Sequence, residues 1–555
     1  MTKTVMGFPS TSQDHYQLNT INIFKGAEKA FADQEIVCRT SSGMMRYTYS
    51  DAYKRIKKLG TALKKLEVQV GDRVGVLDWN THRHFEMYYG IPGIGAVILL
   101  LNLRLSPPDL GYVINHSETS YIAVDESLIP IAESVQSLCN TVKGYIIITD
   151  KPILEIKTTL SPIYSYEELL SDADEIDEWP VMDEKSAYGA CYTTGTTGKP
   201  KGVYYSHRNV YLHAMALASF IGMTSKDCFY QLVPMFHALG WGAPHSAIMV
   251  GAKFLLPGMY NIANLGDLAK PLINENVTCS AGAPALFMPM LEYIKTMDTI
   301  PDLTGAKFLC GASEPSYTMM KEFYDLTGAE IIHAYGATET SPLAAFNGPR
   351  PWVDKNISEE ERWENKKKQG FPAPGLDIKI VDAFGKELPA DGESAGEIYI
   401  RGPWITGSYY KNEKSSDSFS EDGYWKTGDA GTIDKNGLIK ITDRVKDIIK
   451  SGGEWISSID MENEIVSHEA VLEAAVVGVK HPKWEERPVA IVVLREEFKN
   501  EISEDEIRKH LEKKFAKWQL PEKVIFTDLI PKTSVGKYDK KVMRETYQYI
   551  YTIKN

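Results

Sequence analysis

One segment decides the fold of this 555-residue chain: Tyr192-Thr193-Thr194-Gly195-Thr196-Thr197-Gly198-Lys199-Pro200-Lys201-Gly202. Its glycines carry no Cβ, so the backbone can approach a chain of phosphate groups closely. Amide N–H groups and threonine hydroxyls are donors for phosphate oxygens, and Lys201 adds positive charge. The donors are expected at Thr193, Thr194, Gly195, Thr196, Thr197 and Gly198. The segment is not a GxxxxGK[ST] loop, because Pro200 follows Gly198-Lys199.

Four more segments follow in chain order, and together the five carry a family resemblance. They are Ala334-Tyr335-Gly336-Ala337-Thr338-Glu339-Thr340, Tyr424-Trp425-Lys426-Thr427-Gly428-Asp429, Asp443-Arg444-Val445-Lys446-Asp447 and Pro531-Lys532-Thr533-Ser534-Val535-Gly536-Lys537. The set resembles the motifs of the adenylate-forming superfamily: acyl-CoA synthetases, adenylation domains of peptide synthetases, and luciferases. The resemblance implies that a carboxylic acid is activated with ATP and Mg²⁺, and that the acyl group then passes to coenzyme A.

Several of these residues suit the binding of a nucleoside. Tyr335, followed by Gly336, offers a ring face for stacking on adenine, and Gly311-Ala312-Ser313 lets a base lie against the backbone. Asp429 can accept hydrogen bonds from both ribose hydroxyls. Arg444 is expected to contact the ribose from the hinge, although an arginine in a hinge also commonly forms an ordinary salt bridge.

Three residues are expected to act on the phosphates. Glu339 is a hard oxygen donor suited to Mg²⁺, which would bridge phosphate oxygens. Thr338 can donate to the α-phosphate. Lys537 would draw the acid and the α-phosphate together and stabilise the charge that develops between them. The acid needs no general base, because its carboxylate is already ionised.

The resemblance also implies two poses for a mobile C-terminal domain, one for each half-reaction. Lys446 matches the pivot of the hinge. In the second pose Gly453 and Trp455 would face the tunnel for the pantetheine arm of coenzyme A. His237 matches a position beside the acyl carboxylate and the thiol entrance, although a histidine between aromatic residues is more often a packed core residue.

The acyl pocket is expected to be larger than acetate requires. Acetyl-specific members of the superfamily carry tryptophan at the position of Gly336, and glycine leaves that space open. Each CH₂ buried there would contribute about 0.8 kcal/mol. Trp241, which matches a tunnel-gating tryptophan of a long-chain relative, and Cys310 are expected to line the pocket. The resemblance is greatest to medium- and long-chain fatty acyl-CoA synthetases, and 4-hydroxybutyrate ligases are also close.

The expected fold is α/β, because short apolar runs alternate with helical patterns. Residues 1–442 are expected to form a large N-terminal domain of stacked αβ subdomains, with a β-rich subdomain at about 376–442. The hinge is expected at 443–447, followed by a small, mobile α+β domain at 448–555. Ser50-Asp51 is expected to cap a helix, and the runs 253–256, 277–280, 307–310 and 396–401 are expected strands.

Composition narrows the class of protein further. The formal charge of −13 argues against nucleic acid as the main partner. The six cysteines show no CxxC pair and the 12 histidines no HExxH, so reduced thiols and no structural metal are expected. We find no secretory signal and no run of apolar residues that could span a membrane. We expect a cytoplasmic protein and, from the resemblance, a homodimer.

Alternative functions remain open from the sequence. Within the superfamily they are an aryl-CoA ligase, an adenylation domain of a peptide synthetase, and a luciferase. We expect no carrier domain after Lys537, which would favour a diffusing acceptor such as coenzyme A. A catalytically silent nucleotide-binding protein is the alternative from another class, but Lys537, Glu339, Asp429 and Lys201 are all present. A P-loop kinase is excluded by Pro200.

Overall fold

Two large β-sheets with parallel centres form most of the N-terminal domain. This is a computed structural model, and it describes residues 5–193, 199–260, 262–451, 454–499, 501–532 and 538–551. From edge to edge, the nine-stranded sheet consists of β16 (Phe371–Pro372), β15 (Leu343–Phe346), β14 (Glu330–Gly336), β13 (Lys307–Cys310), β12 (Cys279–Gly282), β10 (Cys228–Tyr230), β11 (Lys253–Leu256), β1 (Glu35–Thr40) and β2 (Gly43–Thr48). The seven-stranded sheet consists of β7 (Ile163–Ser165), β6 (Gly144–Ile148), β5 (Thr119–Asp125), β3 (Arg73–Leu77), β4 (Val97–Leu100), β8 (Ala187–Thr193) and β9 (Lys201–Ser206).

Helices connect and cover these sheets. In chain order they are α1 (Ile21–Ala30), α2 (Tyr49–Lys65), α3 (His82–Gly93), α4 (Pro107–His116), α5 (Ile129–Gln136), α6 (Tyr166–Ser171), α7 (His207–Ile221), α8 (Ala243–Met249), α9 (Lys270–Asn274), α10 (Pro284–Lys295), α11 (Tyr317–Thr327), α12 (Pro351–Asp354) and α13 (Glu359–Lys366). One apolar core includes residues of both sheets, so the two αβ layers form a single packed body.

A four-stranded antiparallel sheet leads to the C-terminal domain. Its strands, in order, are β17 (Asp377–Val381), β18 (Gly396–Arg401), β19 (Trp425–Ile433) and β20 (Ile439–Arg444). The C-terminal domain contains β21 (Ile449–Ser451), β22 (Glu454–Ile456), α14 (Ser458–Val466), β23 (Val471–His481), β24 (Glu485–Leu494), α15 (Glu504–Leu511), β25 (Lys523–Phe526) and α16 (Lys540–Tyr547). Its core lies between α14, α15 and the sheet.

The predicted α/β fold is confirmed, with three local differences from the sequence-based expectations. The cap of α2 is Thr48, not Ser50: the Thr48 hydroxyl accepts from Asp51 N–H, and the Asp51 carboxylate accepts from Thr48 N–H. The strand expected at 277–280 is β12, two residues later. β20 continues through Asp443 and Arg444, two residues of the expected hinge, because both pair with β19.

Two findings concern disulfides and membranes. All six cysteines are free thiols, and five of them are buried. Among the described residues, no helix has both the length and the apolar character that crossing a bilayer requires.

Candidate active site

The β14–β15 turn brings together the residues of the second motif. β14 ends at Tyr335 and Gly336, a short 3-10 turn follows at Thr338–Thr340, and β15 then runs back antiparallel to β14. The turn places the Tyr335 hydroxyl 2.6 Å from Asp429 Oδ2, to which it donates. On the other side, the Thr338 carbonyl oxygen accepts from the Tyr205 hydroxyl at 2.8 Å. The turn is therefore fixed to β19 at one end and to β9 at the other.

The structure corrects the reason given for a glycine at position 336. A Cβ built on Gly336 would lie 1.7 Å from the Pro342 carbonyl oxygen, far inside contact distance. The missing side chain thus faces the backbone of the same turn and not an open pocket. Glycine is needed here because the two strands of the turn approach so closely. A tryptophan at 336 would require the turn to rearrange.

Asp429 is the centre of a contact between three of the predicted residues. It is 5% exposed and lies on β19, directly opposite Arg444 on β20. Arg444 Nε is 2.6 Å from Asp429 Oδ1, while Tyr335 donates to the other oxygen. Asp429 also raises the pKa of Arg444. The charge-assisted contact fixes the carboxylate between an aromatic ring and a guanidinium.

Glu339 is a buried carboxylate with tyrosine and lysine neighbours. The Tyr409 hydroxyl donates to Glu339 Oε1 at 2.7 Å, and Trp425 Nε1 donates to the Tyr409 oxygen at 3.3 Å. The ammonium of Lys201 lies 4.5 Å from the centre of the Tyr409 ring. Burial raises the pKa of Glu339, although the hydrogen bond from Tyr409 and the charges of Arg444 and Lys201 oppose that increase. Tyr409 was not predicted from the sequence, because only the fold brings it to Glu339.

The donor set around Glu339 suits one kind of metal ion. Within the described ranges, no three His, Cys, Asp or Glu side chains cluster closely enough to hold a metal by themselves. Mg²⁺ usually takes one or two carboxylates and completes its shell with water and phosphate oxygens. A single buried glutamate near Lys201, which begins the strand after the predicted phosphate segment, fits that arrangement.

A left-handed turn lies beside His237 and the predicted pocket residue Trp241. Ala238, Leu239, Gly240, Trp241 and Gly242 all have φ between 43° and 76°. Such a run is costly for residues that carry a Cβ. The turn packs the Trp241 ring against Gly311, where an added Cβ would lie 3.0 Å from the ring and 2.6 Å from the Ala334 carbonyl oxygen. Gly311 therefore has to be glycine, and the ring covers the loop predicted to bind adenine.

Cys310 does not line the same space as Trp241. It is fully buried in the core around Phe287 and Phe308, whereas Leu309 belongs to the core against which Trp241 packs. Successive side chains of a strand point to opposite faces, so β13 can present only one of the two residues there. The expectation that Cys310 lines the acyl pocket is therefore wrong, and Leu309 takes its place on that face.

A buried ionic network crosses the predicted hinge, residues 443–447. Asp443, 1% exposed, accepts from Ser458 N and Ser458 Oγ at 2.8 and 2.5 Å. The Lys540 ammonium donates to Ser458 Oγ and lies 2.8 Å from Glu462 Oε1. Beyond the pivot position Lys446, Arg544 pairs with Asp447 at 2.6 Å. Thus α14 and α16 of the C-terminal domain are both tied to the hinge.

Several predicted residues lie outside the described part of the chain. They are Thr194, Gly195, Thr196, Thr197 and Gly198 of the phosphate segment, Gly453, and Lys537. Thr193 is the last residue of β8 and Lys201 the first of β9, so the two described flanks of the phosphate segment are adjacent antiparallel strands. The backbone of Trp455 belongs to β22.

Comparison of the sequence and the structure with known proteins shows which family this chain belongs to. A family model described as "AMP-binding enzyme" matches residues 24–410, and one described as "AMP-binding enzyme C-terminal domain" matches residues 460–537. The long-chain-fatty-acid–CoA ligase of Thermus thermophilus is 39% identical over 98% of each chain. The 4-hydroxybutyrate–CoA ligase 2 of Metallosphaera sedula is 32% identical over 97% of this chain and 96% of its own. The ATP-bound structure of MatB from Rhodopseudomonas palustris superposes with a TM-score of 0.80 at 26% identity, covering 96% of this chain and 100% of that one.

The chain is similar to two CoA ligases over nearly its whole length, and the family model of AMP-binding enzymes matches most of it. It is therefore an adenylate-forming acid–thiol ligase. The chain belongs to the family of AMP-binding enzymes, as the five motifs predict, and within it is an AMP-forming acyl-CoA ligase that uses ATP and coenzyme A.

The hinge network predicts a large loss of stability when its buried cation is removed. Lys540→Met leaves Asp443 and Glu462 buried without their shared ammonium, which is expected to cost about 3–5 kcal/mol of unfolding free energy. Lys541→Met is the matched control, since the Lys541 side chain is 63% exposed, and it should change the stability by less than about 0.5 kcal/mol. Urea unfolding of the full chain measures both values. Equal effects of the two substitutions would contradict the network.

Proposed function

We propose that the protein converts a carboxylic acid longer than acetate, foremost a medium- or long-chain fatty acid, to its coenzyme A thioester. The similarity to a long-chain-fatty-acid–CoA ligase over 98% of both chains is the observation that carries this choice. A short hydroxy acid such as 4-hydroxybutyrate is the second candidate, because the Metallosphaera sedula ligase also matches over nearly the whole chain. Aryl acids are a further alternative.

In the first half-reaction, an oxygen of the acid carboxylate attacks the α-phosphorus of ATP and pyrophosphate leaves. We assign the triphosphate to Thr193, Thr194, Gly195, Thr196, Thr197, Gly198 and Lys201. Thr338 would donate to the α-phosphate. Lys537 would hold the attacking oxygen and the α-phosphate together and stabilise the negative charge between them.

The nucleoside would bind to the cluster formed by Tyr335, Asp429 and Arg444. Tyr335 would stack on adenine while Asp429 holds its hydroxyl in place, and Gly311-Ala312-Ser313 would contact the base edge. Asp429 and Arg444 would bind the ribose hydroxyls. Glu339 would hold Mg²⁺, which when bound neutralises phosphate charge. The buried position of Glu339 beside Lys201 and Tyr409 supports this role.

In the second half-reaction, the thiolate of coenzyme A attacks the acyl carbonyl carbon, a thioester forms and AMP leaves. The C-terminal domain would reach the required pose by rotating about Lys446, and Gly453 and Trp455 would border the pantetheine arm. His237 would lie beside the acyl carbonyl, next to the turn that carries Trp241. We also propose that the protein is cytoplasmic, which the six free thiols support. The family resemblance supports a homodimer.

Lys537 provides a direct test of the two-step mechanism. Lys537→Ala should lower acid-dependent ATP–pyrophosphate exchange at least about a hundredfold, because the transition state loses its positioned charge. Formation of the thioester from added acyl-AMP should stay within about twofold. Lys532→Ala, which removes an exposed lysine paired with Glu473, is the control. Equal loss of both half-reactions would contradict the role proposed for Lys537.

The choice of acid is tested by measuring AMP release with coenzyme A against straight-chain acids from C2 to C16, 4-hydroxybutyrate and benzoate. We expect kcat/KM to rise from acetate to octanoate by at least about tenfold, since every added buried CH₂ contributes about 0.8 kcal/mol. A maximum at 4-hydroxybutyrate would favour the second candidate. A maximum at acetate or benzoate would contradict the fatty-acid assignment.

A further inference from the structure

Glu314 lies at the end of the loop assigned to adenine and contacts the mobile domain. It follows Gly311-Ala312-Ser313 in the connection between β13 and α11. Ala312 holds a φ of 69°, which L residues rarely adopt, so the loop has a defined and strained path. Glu314 Oε1 accepts from Asn463 Nδ2 at 2.8 Å, and Asn463 belongs to α14 of the C-terminal domain.

The same carboxylate is connected to the strand that enters the hinge. Gln369 Nε2 lies 3.4 Å from Glu314 Oε2, and Gln369 Oε1 accepts from Ile441 N on β20 at 2.5 Å. Gln369 N also donates to the Ile439 carbonyl oxygen at 3.1 Å. Glu314 is therefore a junction between the base-binding loop, β20 and α14.

Rotation about Lys446 cannot preserve this junction. The loop and β20 lie before the pivot, whereas Asn463 lies after it, so the Glu314–Asn463 bond belongs to the pose seen here. A nucleotide that shifts the loop would change the free energy of this pose, and by linkage the pose would change the affinity of the loop for its base.

We propose that Glu314 is a positioning residue that couples occupancy of the adenine loop to the pose of the C-terminal domain through Asn463. The inference rests on the proposed two-pose reaction. No part of it requires Glu314 to touch the reacting atoms.

The charges around Glu314 make the coupling dependent on pH. Asp460 of α14 faces it and pairs with Lys440 of β20 at 3.3 Å, and Lys367 is a further charged neighbour. Burial, assisted by Asp460, raises the pKa of Glu314 to about 7. The docked pose binds this proton more tightly than a pose in which Glu314 is hydrated. Docking is therefore most favoured where both poses are protonated, weakens as the pH rises from the ordinary range of a carboxyl toward 7, and changes little above that.

The test compares the two half-reactions in the full-length enzyme. ATP–pyrophosphate exchange with octanoate, and thioester formation from octanoyl-AMP, give two rates for each variant. If octanoate is not turned over, 4-hydroxybutyrate and its adenylate replace it. Glu314→Ala and Asn463→Ala should each change the ratio of the two rates by about fivefold or more. The double variant should change it no further, because one bond is lost in all three.

Two further variants separate coupling from a structural effect. Glu322→Ala removes an exposed carboxylate of α11 that pairs with Lys295, and it should leave the ratio unchanged. Between pH 5 and pH 7 the ratio in wild type should change by more than ionisation of the coenzyme A thiol alone causes, whereas Glu314→Gln, which keeps an acceptor for Asn463, should show only the change due to the thiol. Equal changes in both half-reactions, additive effects in the double variant, or an unaltered pH profile in Glu314→Gln would each overturn the inference. Wild type that forms neither adenylate nor thioester would instead disprove the proposed function.

Discussion

The contact of Asp429 with Tyr335 and Arg444 is the constraint on which the rest of the site depends. Tyr335 lies near the end of β14 in the nine-stranded sheet, and Arg444 ends the last strand before the C-terminal domain. One carboxylate therefore joins the large αβ body, the four-stranded sheet and the start of the hinge. Its burial makes both bonds stronger than they would be in water. The same three side chains therefore connect the proposed nucleoside site to the strand that enters the predicted hinge.

The other residues of the candidate site are positioned by elements that adjoin this contact. The β14–β15 turn carries Thr338 and Glu339 toward β9, and the backbone pairing of Gly202 with Tyr410 places Tyr409 between Glu339 and Lys201. The other side of β14 meets Gly311, whose missing Cβ admits the Trp241 ring. The residues proposed to contact the base, Gly311 and Tyr335, are thus neighbours because two adjacent strands of one sheet, β13 and β14, end together.

Sequence reasoning succeeded where the information is local. The strands at 253–256, 307–310 and 396–401 are found at the predicted residues, since short apolar runs bounded by turn residues specify them. The five motifs identified the family correctly. The errors also have local causes. Thr48 and Ser50 are both good caps, and only the backbone bond to Asp51 decides between them. Cys310 and Leu309 differ by one residue, which in a strand reverses the face.

Contacts across long sequence separations could not be predicted. Tyr409 meets Glu339 over 70 residues, Asn463 meets Glu314 over 149, and Lys540 meets Ser458 over 82. None of these pairs leaves a periodic pattern in the sequence.

The central claim is that the Asp429 carboxylate binds the ribose hydroxyls. Titration calorimetry of AMP and 2′,3′-dideoxy-AMP with wild type and Asp429→Ala tests it most directly. We predict that wild type binds AMP at least about tenfold more tightly than the dideoxy analogue, and that the variant binds the two alike. Equal binding of both nucleotides by wild type would contradict the account.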